Sequence, residues 1–464
     1  MNEPYLAKLP RGFVDLRPLA DDKRVLKNPH KGWYVHYIDN GMVRPTYRDK
    51  MLPGDLLEDF PGLSHLYLRV DWADIEPEEG KFDFSELDRI FAEWEGRCNF
   101  SFRFCCYETS NPYATPEWVR NAGAKGFEIE SNGIVRWEPD YSDPVFLAKL
   151  DNFLGRLAEK YDGDRRVEFI DIGTYGTWGE GHTGFGSGKN YPIEVLKAHV
   201  ELHLKHFKST KLLLNDDMFS TACAAGGVDA GNGFADFCAG LGIGARDDSV
   251  CVKYYSDHFG YDTLKNGNFF AKFNESAPVD LELQHYHMVA DEEMKDCFPF
   301  LEALRTAHAT YAGFHGYPRP WLEKYPYFTE YAANRLGYWY FLDKLFLPEC
   351  ISGTKALAKL WVENRGLAPA YDPFRLELRV VGYKVYPVYS SDGLNLNWKP
   401  GGQFVELLKL DFDNVPAGKY ALELRLSEGD RAVEFAVKPE FISDDKWVRL
   451  ADIEVRAPFS VQQF

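Results

Sequence analysis

The strongest constraint in this chain is an alternation. Over roughly its first 310 residues, short apolar runs take turns with stretches of helical periodicity, eight times over. The runs are predicted as strands at 33–37, 63–72, 99–107, 167–172, 211–215, 243–252, 278–287 and 310–315. Helices are predicted at 85–94, 144–161, 192–208, 234–241, 291–307 and 327–345. Residues 1 to about 30 read as an extended lead-in, and the stretch after Glu108 as a long loop. Asp143-Pro144 and Ser85 supply helix starts. Such alternation predicts an α/β fold, a (β/α)8 TIM barrel with insertions. The other candidate is an open doubly wound sheet, but no GxGxxG or Walker loop follows the first strand.

After about Pro348 the period changes. LAKLWVENRG, FRLELRVVGY, QFVELLKLDF, YALELRLSE and WVRLADIEV alternate apolar and polar residues between turn signals. This predicts a small antiparallel β-sandwich. The expected domains are therefore a barrel over 1–348 and a sandwich over 349–464, within 464 residues too many for one ordinary core.

The net charge of -18 excludes nucleic-acid backbones and anionic membranes as natural partners. No apolar run reaches the roughly 20 residues of a membrane span, and the N-terminal stretch has no signal-peptide core. A cytoplasmic protein is the expectation, although a trimmed secreted chain would read the same way. The eight cysteines form no CxxC or pairing pattern, which suits buried free thiols. Aromatic residues make up 16% of the chain. They fill cores first, and they also make flat platforms for sugars.

One stretch concentrates chemistry: VEFIDIGTYGTWGEGH, Val167 to His182. A buried strand runs into a glycine-rich turn holding Trp178 and Glu180. A carboxylate beside an indole, past the carboxyl end of a barrel strand, is where barrel enzymes place their chemistry. The plain alternative is a glycine loop whose Glu is solvated. Retaining hydrolysis of a glycoside needs two carboxyl groups about 5 Å apart, one acidic and one ionised. Glu180 and Glu282, on the fourth and seventh strands, form the best pair, with Arg69 on the second strand as partner of Glu282. Arg69 could instead pair with Asp71 or Glu108. Asp216, Asp217, Asp247 and Asp248 are rival carboxylates. His285-Tyr286-His287 would put two imidazoles on one strand face, but no third ligand stands at a telling spacing, so no metal is expected. The absence of GxSxG argues against a serine hydrolase.

LYLRVDWADIEPEEGKFDFSELDRI resembles the second-strand region of barrel glycosidases related to the β-galactosidases of glycoside hydrolase clan A. Glu76-Pro77 and Phe82-Asp83-Phe84 carry the likeness. It implies an active-site role for Arg69, an acid/base in Glu180 and a nucleophile in Glu282. The clan has Asn directly before its acid/base, where this chain has Gly179. GTWGEGH, VENRGLAPAY and PAGKYALELRL are similar to a group of poorly characterised bacterial barrel proteins that carry a C-terminal β-sandwich.

The expectation is a retaining glycoside hydrolase acting on a small oligosaccharide or glycoside. Trp72, Glu108, Trp178, Asp216, Arg246 and His315 are candidate sugar contacts. No cofactor is required, and nothing in the sequence settles whether the chain self-associates. The alternatives are a catalytically inactive carbohydrate-binding barrel, or an inverting sugar enzyme pairing Glu180 with an Asp.

Overall fold

The computed structural model describes residues 12–39, 41–42, 47–250, 269–348 and 350–456. The chain forms two compact units. One is Gly32–Ala332; the other joins Met1–Lys31 to Ala333–Phe464.

The first unit is a closed parallel barrel of eight strands. They are β1 (Gly32–Ile38), β2 (Leu63–Asp71), β3 (Asn99–Cys105), β4 (Val167–Asp171), β5 (Lys211–Asn215), β6 (Gly244–Val250), β7 (Val279–Leu283) and β8 (Tyr311–Phe314). Each pairs with the next in sequence, and β8 closes on β1. Most strand residues are buried, as expected where helices cover one face and the barrel interior the other. The helix Pro144–Tyr161 begins as its sequence suggests: the Asp143 side chain accepts from the Val145 and Phe146 N–H groups, and Pro144 opens the first turn. Its buried stripe is Phe146, Leu150, Phe153, Leu154 and Leu157.

Inside the barrel, Tyr34, Tyr67, Phe169, Leu213 and Tyr311 form an apolar plug. Gly313 on β8 makes room for it. A Cβ there would lie 2.1 Å from Cζ of Tyr34, so only glycine admits the ring. The plug's hydroxyls point to charge: the Tyr67 OH donates to Asp171 at 2.7 Å and the Tyr311 OH to Glu168 at 2.8 Å.

Several boundaries differ from expectation. β7 is shorter than predicted, ending at Leu283; β6 begins at Gly244, and Cys251 and Val252, at the predicted end of that strand, lie outside the described residues. Tyr286–Met288 is a 3-10 turn beyond the end of β7, so His285 and His287 do not share a strand face. The stretch after Glu108 contains an antiparallel hairpin, Gly126–Ser131 with Ile134–Pro139. The last predicted helix stops at Arg335; past Gly337, at a φ of 63°, the aromatic run becomes the strand Tyr340–Phe346.

That strand belongs to the second unit. It pairs with Phe13–Asp15 on one side and Lys355–Asn364 on the other. Backbone pairing thus draws 12–31 and 333–348 into the sandwich unit, where the sequence reading had placed both with the barrel. Lys355–Asn364 also pairs with Gln403–Asp411. A second sheet runs in the order Cys350–Ile351, Val448–Val455, Gly418–Glu428, Arg375–Val381, Val385–Asp392. Leu342, Leu360 and Leu408 from the first sheet and Leu376, Leu424 and Leu450 from the second share one core. This is a β-sandwich with its apolar alternation turned inward. The seven cysteines in the described residues are free thiols. Among those residues no helix is long and apolar enough to cross a membrane.

Candidate active site

In a parallel barrel all carboxyl-terminal strand ends open on one face. Here that face carries a layer of buried ion pairs. Arg103 on β3 reaches Asp171 on β4 at 2.9 Å; Arg246 on β6 reaches Asp280 on β7 at 2.9 Å and lies 3.5 Å from Asp171. All four are buried. Burying this many charges costs more in desolvation than well-packed apolar residues would, so such a layer points to function rather than stability.

Glu282, next to last on β7, is gripped from several sides. Arg246 Nη2 contacts its Oε2. Oε2 also lies 2.9 Å from His36 Nε2 and accepts from the Tyr34 OH at 3.2 Å. His315 Nε2, just past β8, contacts Oε1. The guanidinium sets a positive charge against the carboxyl, and the other donors fix its orientation. Its partner is therefore Arg246 rather than Arg69, and Arg246 positions a carboxylate rather than reaching toward a sugar.

Arg69 does other work. Its guanidinium lies 2.9 Å from Asp39, 3.4 Å from Glu108 and 3.6 Å from Glu180. The ion-pair reading with Glu108 is the one seen, enlarged by Asp39 and Glu180. Burial would raise the Asp39 carboxyl, but Arg69, His315 and His36 together outweigh it and hold the group at about 2. Glu108 is fully buried, and burial pushes it up to about 7 against the pull of Arg69. A group so enclosed is not a sugar contact.

Glu180 sits on the turn after β4, where Trp178 adopts a φ of 55°, rare for a large side chain. The turn is pinned by Trp178 N–H to the Tyr107 carbonyl at 3.0 Å and by Arg103 Nη1 to the Trp178 carbonyl at 3.3 Å. Gly179 has a φ of +73°, and a Cβ there would lie 2.5 Å from the Gly173 carbonyl oxygen. No asparagine fits at this position without shifting the turn. Glu180 Oε1 lies 3.2 Å from Arg103, and Oε2 lies 3.7 Å from His182 Nε2. Burial opposes ionisation, but His182, Arg103 and Arg69 together hold Glu180 below the usual carboxylate range.

Asp217 completes this corner. His182 Nε2 is 3.8 Å from its Oδ2, and the Glu180, His182 and Asp217 donor atoms all lie within 4.8 Å of one another. Burial, then repulsion from Asp248, pushes Asp217 up to about 7. Asp216 and Asp247 are also raised well above the usual range, first by burial, then Asp216 by repulsion from Asp247 and Asp247 by repulsion from Asp248. Asp216 thus belongs to an aspartate cluster beside Glu180 and has no described contact with Glu282. Trp178 remains a candidate platform: it is partly exposed, its indole N–H donates to Thr109 at 3.0 Å, and Phe185 packs 4.9 Å away. Trp72 is not one. It is wholly buried, bonded to Glu76 at 2.8 Å and stacked on Phe153.

Sequence reasoning missed His36, Asp39, Arg103, Asp171 and His182. Arg103 was the detectable one, a lone charge within an apolar strand.

No family model matches this chain, and no curated protein matches it. Among solved structures it is similar to endo-glycoceramidase II from Rhodococcus sp., a lactosyl-enzyme intermediate, at 12% identity over 85% of this chain and 99% of that one, with a TM-score of 0.40. A GH5_18 protein from Bifidobacterium longum subsp. infantis is similar at 12% identity over 61% and 69%, TM-score 0.42. A family 39 glycoside hydrolase from Bacteroides cellulosilyticus is similar at 11% over 84% and 82%, TM-score 0.38. Likenesses at this level leave the chemistry to be argued from the side chains.

Proposed function

We propose that the chain is a retaining glycoside hydrolase with Glu282 as nucleophile and Glu180 as acid/base, acting on a small oligosaccharide or glycoside. The observation that carries this reading is the grip on Glu282: a carboxyl at the barrel mouth, paired with Arg246 and oriented by His36, His315 and Tyr34. Such a group is prepared to attack an anomeric carbon as the leaving oxygen departs. Glu180 rests as an anion, so the proton it must deliver comes from Asp217, which retains one near neutral pH and lies within 4.8 Å. After the glycosyl-enzyme forms, ionised Glu180 draws a proton from the attacking water. An inverting pairing of Glu180 with Asp217 is disfavoured, because inverting carboxyls stand roughly 6.5–9.5 Å apart.

The test is hydrolysis of a panel of aryl glycosides by the native chain and by Glu282→Ala with added azide. Turnover by the native chain, with azide restoring the variant through a glycosyl azide of opposite anomeric configuration, supports the reading. Sugar binding without turnover by the native chain would replace it with a carbohydrate-binding barrel.

A further inference from the structure

Two clusters at the barrel mouth have the donor types and spacing of a metal site: Glu180–His182–Asp217, and His36–Asp39–His315. Hydrogen positions separate them. His182 Nδ1 accepts from the Gly184 N–H at 3.1 Å, so the neutral ring carries its proton on Nε2, the atom facing both carboxylates. That nitrogen has no lone pair to offer, and the cluster shares protons.

The second cluster is the reverse. His36 Nε2 and His315 Nε2 both face Glu282, whose carboxylate, paired with Arg246, can only accept. Both rings therefore donate Nε2–H and carry their lone pairs on Nδ1. Both Nδ1 atoms face Asp39, at 3.8 Å from Oδ1 for His36 and 3.9 Å from Oδ2 for His315. The His36 lone pair thus confronts a carboxylate, while that of His315 also has the Tyr47 hydroxyl at 3.3 Å. His36 Nδ1 is buried without a hydrogen-bond partner among the described residues.

We propose that His36, His315 and Asp39 bind one divalent transition-metal ion of the zinc class, with Glu282 as the carboxylate that orients both imidazoles from behind. Two neutral imidazoles and a carboxylate form a common donor set for such ions. A carboxylate accepting the far N–H of a ligating imidazole is its usual second partner. Ligands around an ion with 2.0–2.2 Å bonds stand roughly 3.0–3.6 Å apart, and the three residues' donor atoms, which lie within 4.8 Å of one another, close in on binding. The rings, stacked at 4.1 Å with planes 23° apart, tilt to do so. The Tyr47 hydroxyl, 3.3 Å from His315 Nδ1, gives way. Arg69 stays on Asp39 Oδ1, and Oδ2, the oxygen that faces His315 Nδ1, would turn to the ion. The bound ion would brace the two imidazoles against Glu282. Binding itself needs no assumption about hydrolysis.

The test uses the full chain, stripped by chelator and titrated with cobalt(II), then zinc. The expected result is one equivalent of cobalt with visible ligand-field absorption, displaced by zinc, and a melting temperature that rises with zinc concentration. Asp39→Asn and His315→Gln, each checked by circular dichroism for a native fold, should weaken cobalt binding at least tenfold, and His182→Ala should not. No stoichiometric uptake by the native chain, or uptake lost in His182→Ala but kept in Asp39→Asn, overturns the site. Absent uptake with hydrolysis intact refutes only the ion; uptake without hydrolysis of any panel member refutes only the glycosidase reading.

Discussion

Glu282 and Glu180 open on the same barrel mouth and are held by different means. Glu282 sits on a strand, almost without solvent exposure, against one guanidinium and three neutral donors. Glu180 sits on a glycine turn between two guanidinium groups and shares His182 with a proton-bearing aspartate. Rigid placement suits a nucleophile, which must meet one carbon at one angle. Proximity to a group that binds protons near pH 7 suits an acid/base, which must change charge twice per turnover. The division of labour is written in the surroundings of the two residues, both of which are glutamates.

The contrast can be broken at several points. Glu282→Gln should lower kcat on the order of 10⁴-fold on every glycoside hydrolysed, because no covalent intermediate can form. Glu180→Gln should behave differently. Its loss should be about 10²–10⁴-fold on alkyl glycosides and much smaller on dinitrophenyl glycosides, whose leaving groups need no proton. Equal losses on both classes would remove Glu180 from the acid role.

Arg246→Met should cost about 3–5 kcal/mol in denaturant unfolding, since it leaves Glu282 and Asp280 without their guanidinium in a buried layer. Asp217→Asn addresses the other corner. The native rate should fall as pH rises through about 7 and the Asp217 proton is lost, and the variant should lack that limb. Stability should follow the same group. Its pKa is raised from 3.8 to about 7 on folding, so in that window the folded chain binds more protons than the unfolded one. The melting temperature of the native chain should therefore drop more steeply from pH 4 to 7 than that of Asp217→Asn. The smallest effect belongs to Trp72→Phe: about 1 kcal/mol of stability and an unchanged KM, against a raised KM for Trp178→Ala.

Much of this site was legible in the chain. The strand period and the caps located β2, β4, β5, β7 and β8, and with them Glu180 and Glu282. What could not be read was the pairing across the barrel. Arg69 and Arg246 are both arginines near strand ends. Which of them meets Glu282 depends on stagger and closure, and Arg246 lies beside β7 in the sheet, paired with Asp280. Trp72 looked like a sugar platform because it follows a charged strand end. It opens a helical turn, Trp72–Ile75, that turns its ring into the shell. The strand Tyr340–Phe346 was hidden because YFLDKLF fits either period. Its partner, Phe13–Asp15, lies over 300 residues away.

The most direct measurement is the site of covalent labelling. The native chain would be treated with 2-deoxy-2-fluoro glycosides of the sugar it hydrolyses and digested, and the modified peptide sequenced by mass spectrometry. A single label on Glu282, absent after Glu282→Gln, is the expected result. A label on Glu180 or Asp217, or hydrolysis of the parent glycoside with inversion and no label, would contradict the assignment of Glu282 as the nucleophile.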